Sequence, residues 1–312
     1  MTSGSLKDYL RLCRLPAVFT ALADICAGYL LTHESLGDRK TFFLLCGSSA
    51  GLYLSGMVWN DIFDIRQDRI ERPRRPIPSG AVSPRNAVRF AVGLMITGIV
   101  LAGLASLFSL VVALLLAGAI LLYDGLLKRT PAAFPAMGLC RFLNLLLGAS
   151  AAAETFPQVW GQPQLWIACA MGVYITGVTL FARREASTGA RPWLVGGLFV
   201  LDIGLAMLAL WITGQLERWG WQLPEAGASS SEAILLFLGI VALTLNRRAI
   251  LAIQEPVPRN IQSAVGSMLL SVITLDAMVI YYQLGEDGMG YTLGTLALMI
   301  PAIFLRRVIS IT

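Results

Sequence analysis

Apolar residues come in blocks along this chain, not in alternation with polar ones. Ten runs stand out, at 15–32, 41–59, 87–106, 108–123, 133–153, 165–182, 192–213, 232–250, 262–283 and 290–305. Only helices and closed barrels satisfy every backbone polar group in lipid. Unbroken runs of roughly 16–22 residues have helical length, whereas a barrel needs short alternating strands. The tenth run is short and contains Pro301, so nine crossings plus a re-entrant or interfacial helix is the other arrangement. The expected fold is all-α: a polytopic transmembrane helical bundle of nine to ten spans, forming one integral membrane domain over residues 1–312.

Composition agrees. The chain is 56% hydrophobic and 14% charged, with a mean hydropathy of +0.69. A soluble domain carries roughly a quarter of its residues as charges, so a soluble globule is excluded. Cys13, Cys26, Cys46, Cys140 and Cys169 form no CxxC pair and read as small packing residues, not as a disulfide framework or zinc site. Met1 to Tyr9 lacks the character of a cleavable signal, and the first apolar run reads as a retained span.

Charge adds sidedness. The net charge of +5 could suggest a nucleic-acid partner, but the basic residues are confined to loops between spans. With the N-terminus inside, 20 of the 24 lysines and arginines fall on one side and only Arg39, Lys40 and Arg218 on the other; Arg141 lies near the start of a span. This is the positive-inside pattern. It predicts ten crossings, both termini in the cytoplasm and no nucleic-acid partner.

The longest polar stretch lies on the basic side. Trp59 to Gly80 reads WNDIFDIRQDRIERPRRPIPSG. At 100° per residue, Asn60, Asp61, Asp64 and Asp68 share about 100° of one helix face. Three carboxylates and an amide make a hard-oxygen set suited to Mg²⁺, which takes one or two carboxylates together with substrate phosphates. A solvated acidic face is the ordinary alternative, but carboxylates at a membrane boundary are functional by default. Arg66, Arg69, Arg72, Arg74 and Arg75 suit phosphate oxygens, and some of them serve topology alone. Pro73, Pro76 and Pro78 stop the helix ahead of Ser79–Gly80.

NDxxDxxxD followed by ERPxRPIPSG resembles the first signature of the UbiA superfamily of intramembrane prenyltransferases. Arg14 matches a first-helix arginine of that family. Tyr123 and Lys128 in LYDGLLKR resemble its Tyr-Ser-x-x-x-Lys element, and Arg141 and Gly148 in CRFLNLLLGAS resemble its fifth-helix Arg…Gly pattern. The resemblance implies a helical bundle around a lipid-accessible cavity. Mg²⁺ held by two Asp-rich motifs would grip an isoprenyl diphosphate, and a lipophilic or aromatic acceptor in the membrane would capture the prenyl group. On this reading Asn60, Asp61, Asp64 and Asp68 are the catalytic and metal-holding residues. Arg14, Arg72, Arg75, Tyr123, Lys128, Arg141, Arg184 and Glu185 bind substrate.

The second Asp-rich motif departs from the family. Where it should stand, LFARREASTGARPW offers Glu185 as its only carboxylate, with Ser187, Thr188 and Gly189 at the expected aspartate positions. Arg183 and Arg184 could bind diphosphate directly, and Asp124, on the same membrane face, could contribute. LRLCRLPAVFTALADICAGYLL, FARREAS and IQSAVGSMLLSVITLDA resemble the EboC-type, UbiA-like proteins, which implies a bacterial inner-membrane setting and a secondary-metabolite pathway. A non-catalytic descendant that binds or traffics a metabolite is the alternative function. Asp24, Asp202 and Asp276, inside apolar runs, either line the pocket or pair with neighbouring helices. His33 falls in an outside loop, far from the diphosphate end.

Overall fold

The computed structural model describes residues 5–183, 191–218, 227 and 230–308. Among these, every regular element is a helix. A short α1 (Leu6–Leu12) precedes a 3-10 turn at Leu15–Ala17, and then α2 (Val18–Leu30) and α3 (Arg39–Phe63) follow. The polar stretch contains α4 (Ile65–Glu71), after which come α5 (Pro84–Ala105), α6 (Leu107–Leu122) and a π turn at Tyr123–Leu127. The second half holds α7 (Ala133–Ala149), α8 (Phe156–Val159), α9 (Gln164–Ala182), α10 (Arg191–Ile212), α11 (Gln215–Arg218) and α12 (Ser231–Gln254). It closes with α13 (Pro258–Leu284), α14 (Met289–Ala297) and α15 (Met299–Val308). Eight helical segments are long and apolar enough to cross a membrane, the last being the stretch Pro258–Leu305, and Leu15–Leu30 is a shorter apolar helix.

Side chains that satisfy otherwise orphaned amides start several of these helices. Asp38 accepts from the Thr41 amide at 3.1 Å, Ser106 from Ser109 at 2.9 Å and Ser230 from Ala233 at 3.3 Å. Lipid offers no hydrophobic drive between helices, so close backbone approach does much of the packing. At Gly148 of α7 an added Cβ would lie 2.8 Å from the Ile25 carbonyl of α2, and at Gly98 of α5 it would lie 2.9 Å from the Ser48 carbonyl of α3.

The final apolar run is a full pass in two pieces. Proline removes an amide and its ring crowds the carbonyl four residues earlier; for Pro301 that is Ala297, where α14 stops. The chain nevertheless continues along α2. The Leu36 amide donates to the Tyr291 hydroxyl (3.4 Å) at one end, and Ala302 packs with Ala23 and Ile273 further along.

Candidate functional site

The Asn60–Asp68 motif straddles the end of α3. The spacing predicts one continuous helix; the structure breaks it at Asp64 (φ −88°, ψ 3°) and resumes with α4. The i to i+4 bonds Asp64 N–H to Asn60 O (3.1 Å) and Asp68 N–H to Asp64 O (2.9 Å) persist across the break. The two segments thus keep the carboxylates together. Asp61 and Asp68 are buried, at 3% and 2% exposure, and the Asp64 side chain is 17% exposed.

Each carboxylate of the motif meets a cation. Arg75 Nη1 donates to Asp68 Oδ2 at 2.7 Å and to Asp61 Oδ1 at 3.1 Å. It reaches them because the Pro-rich tail folds back, burying Ile77 and Val82 with Leu12, Val58, Ala87 and Ala91. Arg14 Nη2 donates to the same Asp61 oxygen at 2.8 Å. Arg14 holds left-handed backbone angles (φ 45°, ψ 48°), a conformation costly for a residue with a Cβ and concentrated at functional sites. Lys128 Nζ donates to Asn60 Oδ1 at 2.6 Å and to Asp64 Oδ2.

Lys128 is positioned by the π turn, closed by its own amide on the Tyr123 carbonyl at 2.9 Å. π turns are rare and recur at functional sites. Gly125 of this turn faces the Phe63 ring at the end of α3, where a Cβ would make an ordinary contact at 3.4 Å. Asp124, in the same turn, is 7% exposed, and its Oδ1 has no hydrogen-bond partner.

Among the described residues no three His, Cys, Asp or Glu side chains are gathered as a metal cluster. The donor set still fits a hard divalent ion. Asn60 Oδ1 and Asp64 Oδ2 converge on one positive charge, the Lys128 ammonium, and Mg²⁺ needs only one or two carboxylates when substrate phosphates complete its shell.

Of the other expected substrate-binding residues, Tyr123 stays within Coulombic range of Asp64 and Arg14. Arg72 caps α4 and is exposed, and Tyr123 opens the π turn. Arg183 stacks between Phe134 and Trp193, 4.7 and 4.6 Å from the ring centroids. Arg184, Glu185, Ser187, Thr188 and Gly189 lie outside the described residues. Arg141 is committed elsewhere. Its Nε lies 2.8 Å from Asp24 Oδ2, its Nη2 lies 4.0 Å from Asp276 Oδ2, and Nη2 donates to the Thr20 carbonyl at 2.9 Å. Asn144 also donates to Asp24, at 2.8 Å. Two of the three intraspan aspartates thus share one arginine, while Asp202 accepts from Asn246 of α12 at 2.8 Å. The partnership was readable in principle: an arginine deep within a span and aspartates within others must find each other or water.

Comparison with known proteins follows this geometry. The UbiA prenyltransferase family matches residues 21–191, more than half of the chain. The chain belongs to the UbiA prenyltransferase family. This UbiA-family chain is 31% identical to the digeranylgeranylglyceryl phosphate synthase of Methanopyrus kandleri, over 68% of its own length and 93% of that protein. It is 34% identical to the protein of the same name from Saccharolobus solfataricus, over 40% of its length and 45% of the relative, so it spans under half of that relative. Among solved structures, one of digeranylgeranylglyceryl phosphate synthase in membranes aligns over 89% of this chain and 98% of its own (TM-score 0.64, 22% identity). A UbiA homolog from Aeropyrum pernix aligns over 84% and 96% (TM-score 0.63, 19% identity). A UbiA homolog from Archaeoglobus fulgidus, bound to GPP and Mg²⁺, aligns over 93% and 99% (TM-score 0.58, 15% identity). The shared fold is an all-helical, multi-pass membrane bundle. The family is established by these matches and the EboC-type subgroup is not.

Proposed function

We propose that this protein is a Mg²⁺-dependent intramembrane prenyltransferase that moves an isoprenyl group from its diphosphate to a lipophilic acceptor. The observation that carries the reading is the convergence of Asn60 Oδ1 and Asp64 Oδ2 on a single cation, beside Arg14 and Arg75 on Asp61 and Asp68. Asn60, Asp61, Asp64 and Asp68 would hold the metal, which when bound supplies charge stabilisation to the departing diphosphate. Arg14, Arg75 and Lys128 place positive charge where negative charge builds up as the carbon–oxygen bond breaks, the arrangement that lowers such a barrier most. Arg72 stands at the exposed rim, suited to an incoming diphosphate. The acceptor's proton leaves with the new bond formed, and the apolar helices exclude water that would otherwise intercept the prenyl group.

The relatives named above support a lipophilic acceptor over an aromatic one, since both are digeranylgeranylglyceryl phosphate synthases. The bound GPP and Mg²⁺ of the Archaeoglobus homolog support the diphosphate and the metal. The arginine count supports a site at the cytoplasmic face. Purified protein given Mg²⁺, an isoprenyl diphosphate and a panel of glyceryl phosphate and aromatic acceptors should release pyrophosphate, and Asp64→Ala should abolish release. Tight diphosphate binding without turnover across that panel would refute transfer and leave a binding protein.

A further inference from the structure

Asp124 is the carboxylate of this site that the motif does not account for. Asp61 is paired with Arg14 and Arg75, Asp68 with Arg75 and Asp64 with Lys128. Asp124 lies within Coulombic range of Lys128, Asp64, Arg14 and Asp61. Yet it is buried to 7% exposure, no hydrogen bond reaches its Oδ1, and among the described residues no ion pair reaches its side chain. Its neighbour Lys128 is already engaged by Asn60 and Asp64. Four carboxylates therefore share this site with three cations, and Asp124 is the one that none of them pairs with.

A buried carboxylate without a partner is expensive, because its lost hydration is not repaid. Such a group persists where a ligand brings the compensating charge. The π turn bears on the same point. It is the local distortion that carries Asp124 together with Lys128 at the end of α6. The sequence adds a third consideration: the segment where a second acidic motif would stand offers Glu185 as its single carboxylate, which leaves room for one from another element.

We propose that Asp124 is a ligand for a second divalent cation at this site, adding from the α6 end a carboxylate to the single one, Glu185, in the segment after α9. The proposal rests on the prenyltransferase reading for the identity of the site, but not for its own test. One or two carboxylates are enough for Mg²⁺ when diphosphate oxygens and water fill the rest of the shell.

The test uses the full-length protein in detergent, with Mn²⁺ as the paramagnetic probe and inorganic pyrophosphate as the anion. Free Mn²⁺ is counted by electron paramagnetic resonance. Wild type should bind two Mn²⁺ per chain with pyrophosphate present; Asp124→Asn should bind one, the second weakened at least tenfold; Asp124→Glu should recover the second. Melting without metal controls for folding, and Asp124→Asn should melt at or above wild type because it removes an uncompensated charge. Equal stoichiometry and affinity in wild type and Asp124→Asn would overturn the proposal, as would one Mn²⁺ or none in wild type. So would a metal-free melting temperature several degrees lower in Asp124→Asn, since it would mean that the carboxylate already has a partner. Two Asp124-dependent ions without pyrophosphate release from any isoprenyl diphosphate would leave this inference standing and defeat prenyl transfer instead.

Discussion

Replacing Arg141 with methionine should destabilise the bundle by about 3–5 kcal/mol, the cost of removing one partner from a buried ion pair. The guanidinium is 8% exposed and stands between two fully buried carboxylates, Asp24 at 2.8 Å and Asp276 at 4.0 Å. Methionine conserves much of the volume, so the loss is electrostatic. Asp24 would keep one donor, Asn144 at 2.8 Å, and no countercharge; Asp276 would keep neither. The double variant Arg141→Met with Asp24→Asn should regain part of the loss, because it removes the closer of the two carboxylates left without a countercharge. Asp276→Asn alone should be tolerated, since it removes one of two buried carboxylates that share a single arginine. Thermal unfolding in detergent reads these differences at roughly 2 °C per kcal/mol for a large chain, so a fall of about 6–10 °C is expected for the single variant. A fall below about 2 °C, or no rescue by Asp24→Asn, would refute the pairing as the role of Arg141. Pyrophosphate binding measured on the rescued double variant separates that role from substrate contact: retained binding fits a structural arginine.

Gly148→Ala should cost about 1–3 kcal/mol by overpacking, because its Cβ would lie 2.8 Å from the Ile25 carbonyl; Gly93→Ala, with nothing within 4 Å, should be neutral or slightly stabilising. Differential scanning of both variants checks the contrast. Burial pushes the Cys13 thiol up to about 11, so only about 0.1% is thiolate at pH 8. With the other cysteines removed, maleimide labelling of Cys13 should be slow and rise about tenfold per pH unit until that value; fast labelling at pH 7 would contradict its burial. An impermeant maleimide should label Ser35→Cys in intact cells and spare Ser83→Cys, both exposed on opposite ends of the bundle; the reverse pattern would overturn the cytoplasmic placement.

The span pattern was legible because lipid imposes one rule on every crossing helix, and apolar length reports it directly. Structured boundaries follow the expected runs closely, as in 165–182 against Gln164–Ala182. The break in the last pass was half legible: Pro301 marks it, but its position at Ala297 follows from ring geometry, and its harmlessness follows from packing on α2.

The site divides along a different line, that of sequence separation. The link of Arg75 to Asp68 closes over 7 residues within one motif, so spacing marked both residues as site candidates, though as phosphate binder and metal ligand and not as a pair. Arg14 and Asp61 are 47 residues apart and Lys128 and Asp64 are 64 apart. Those pairs became candidates only through resemblance, since no periodicity spans a loop. The link from Arg141 to Thr20 crosses 121 residues, and there resemblance pointed to substrate while geometry commits the side chain to Asp24 and Asp276. Charge alone had the information to decide this. An arginine as far inside an apolar run as Arg141, with Asp24 and Asp276 likewise inside theirs, is costly in lipid unless they meet. The same accounting applied to the polar face leaves Asp124 over, a residue that topology placed on this membrane face without giving it a partner. Counting buried charges by sign therefore finds what pattern matching misses in this bundle, and it does so because hydrocarbon penalises every unmatched one.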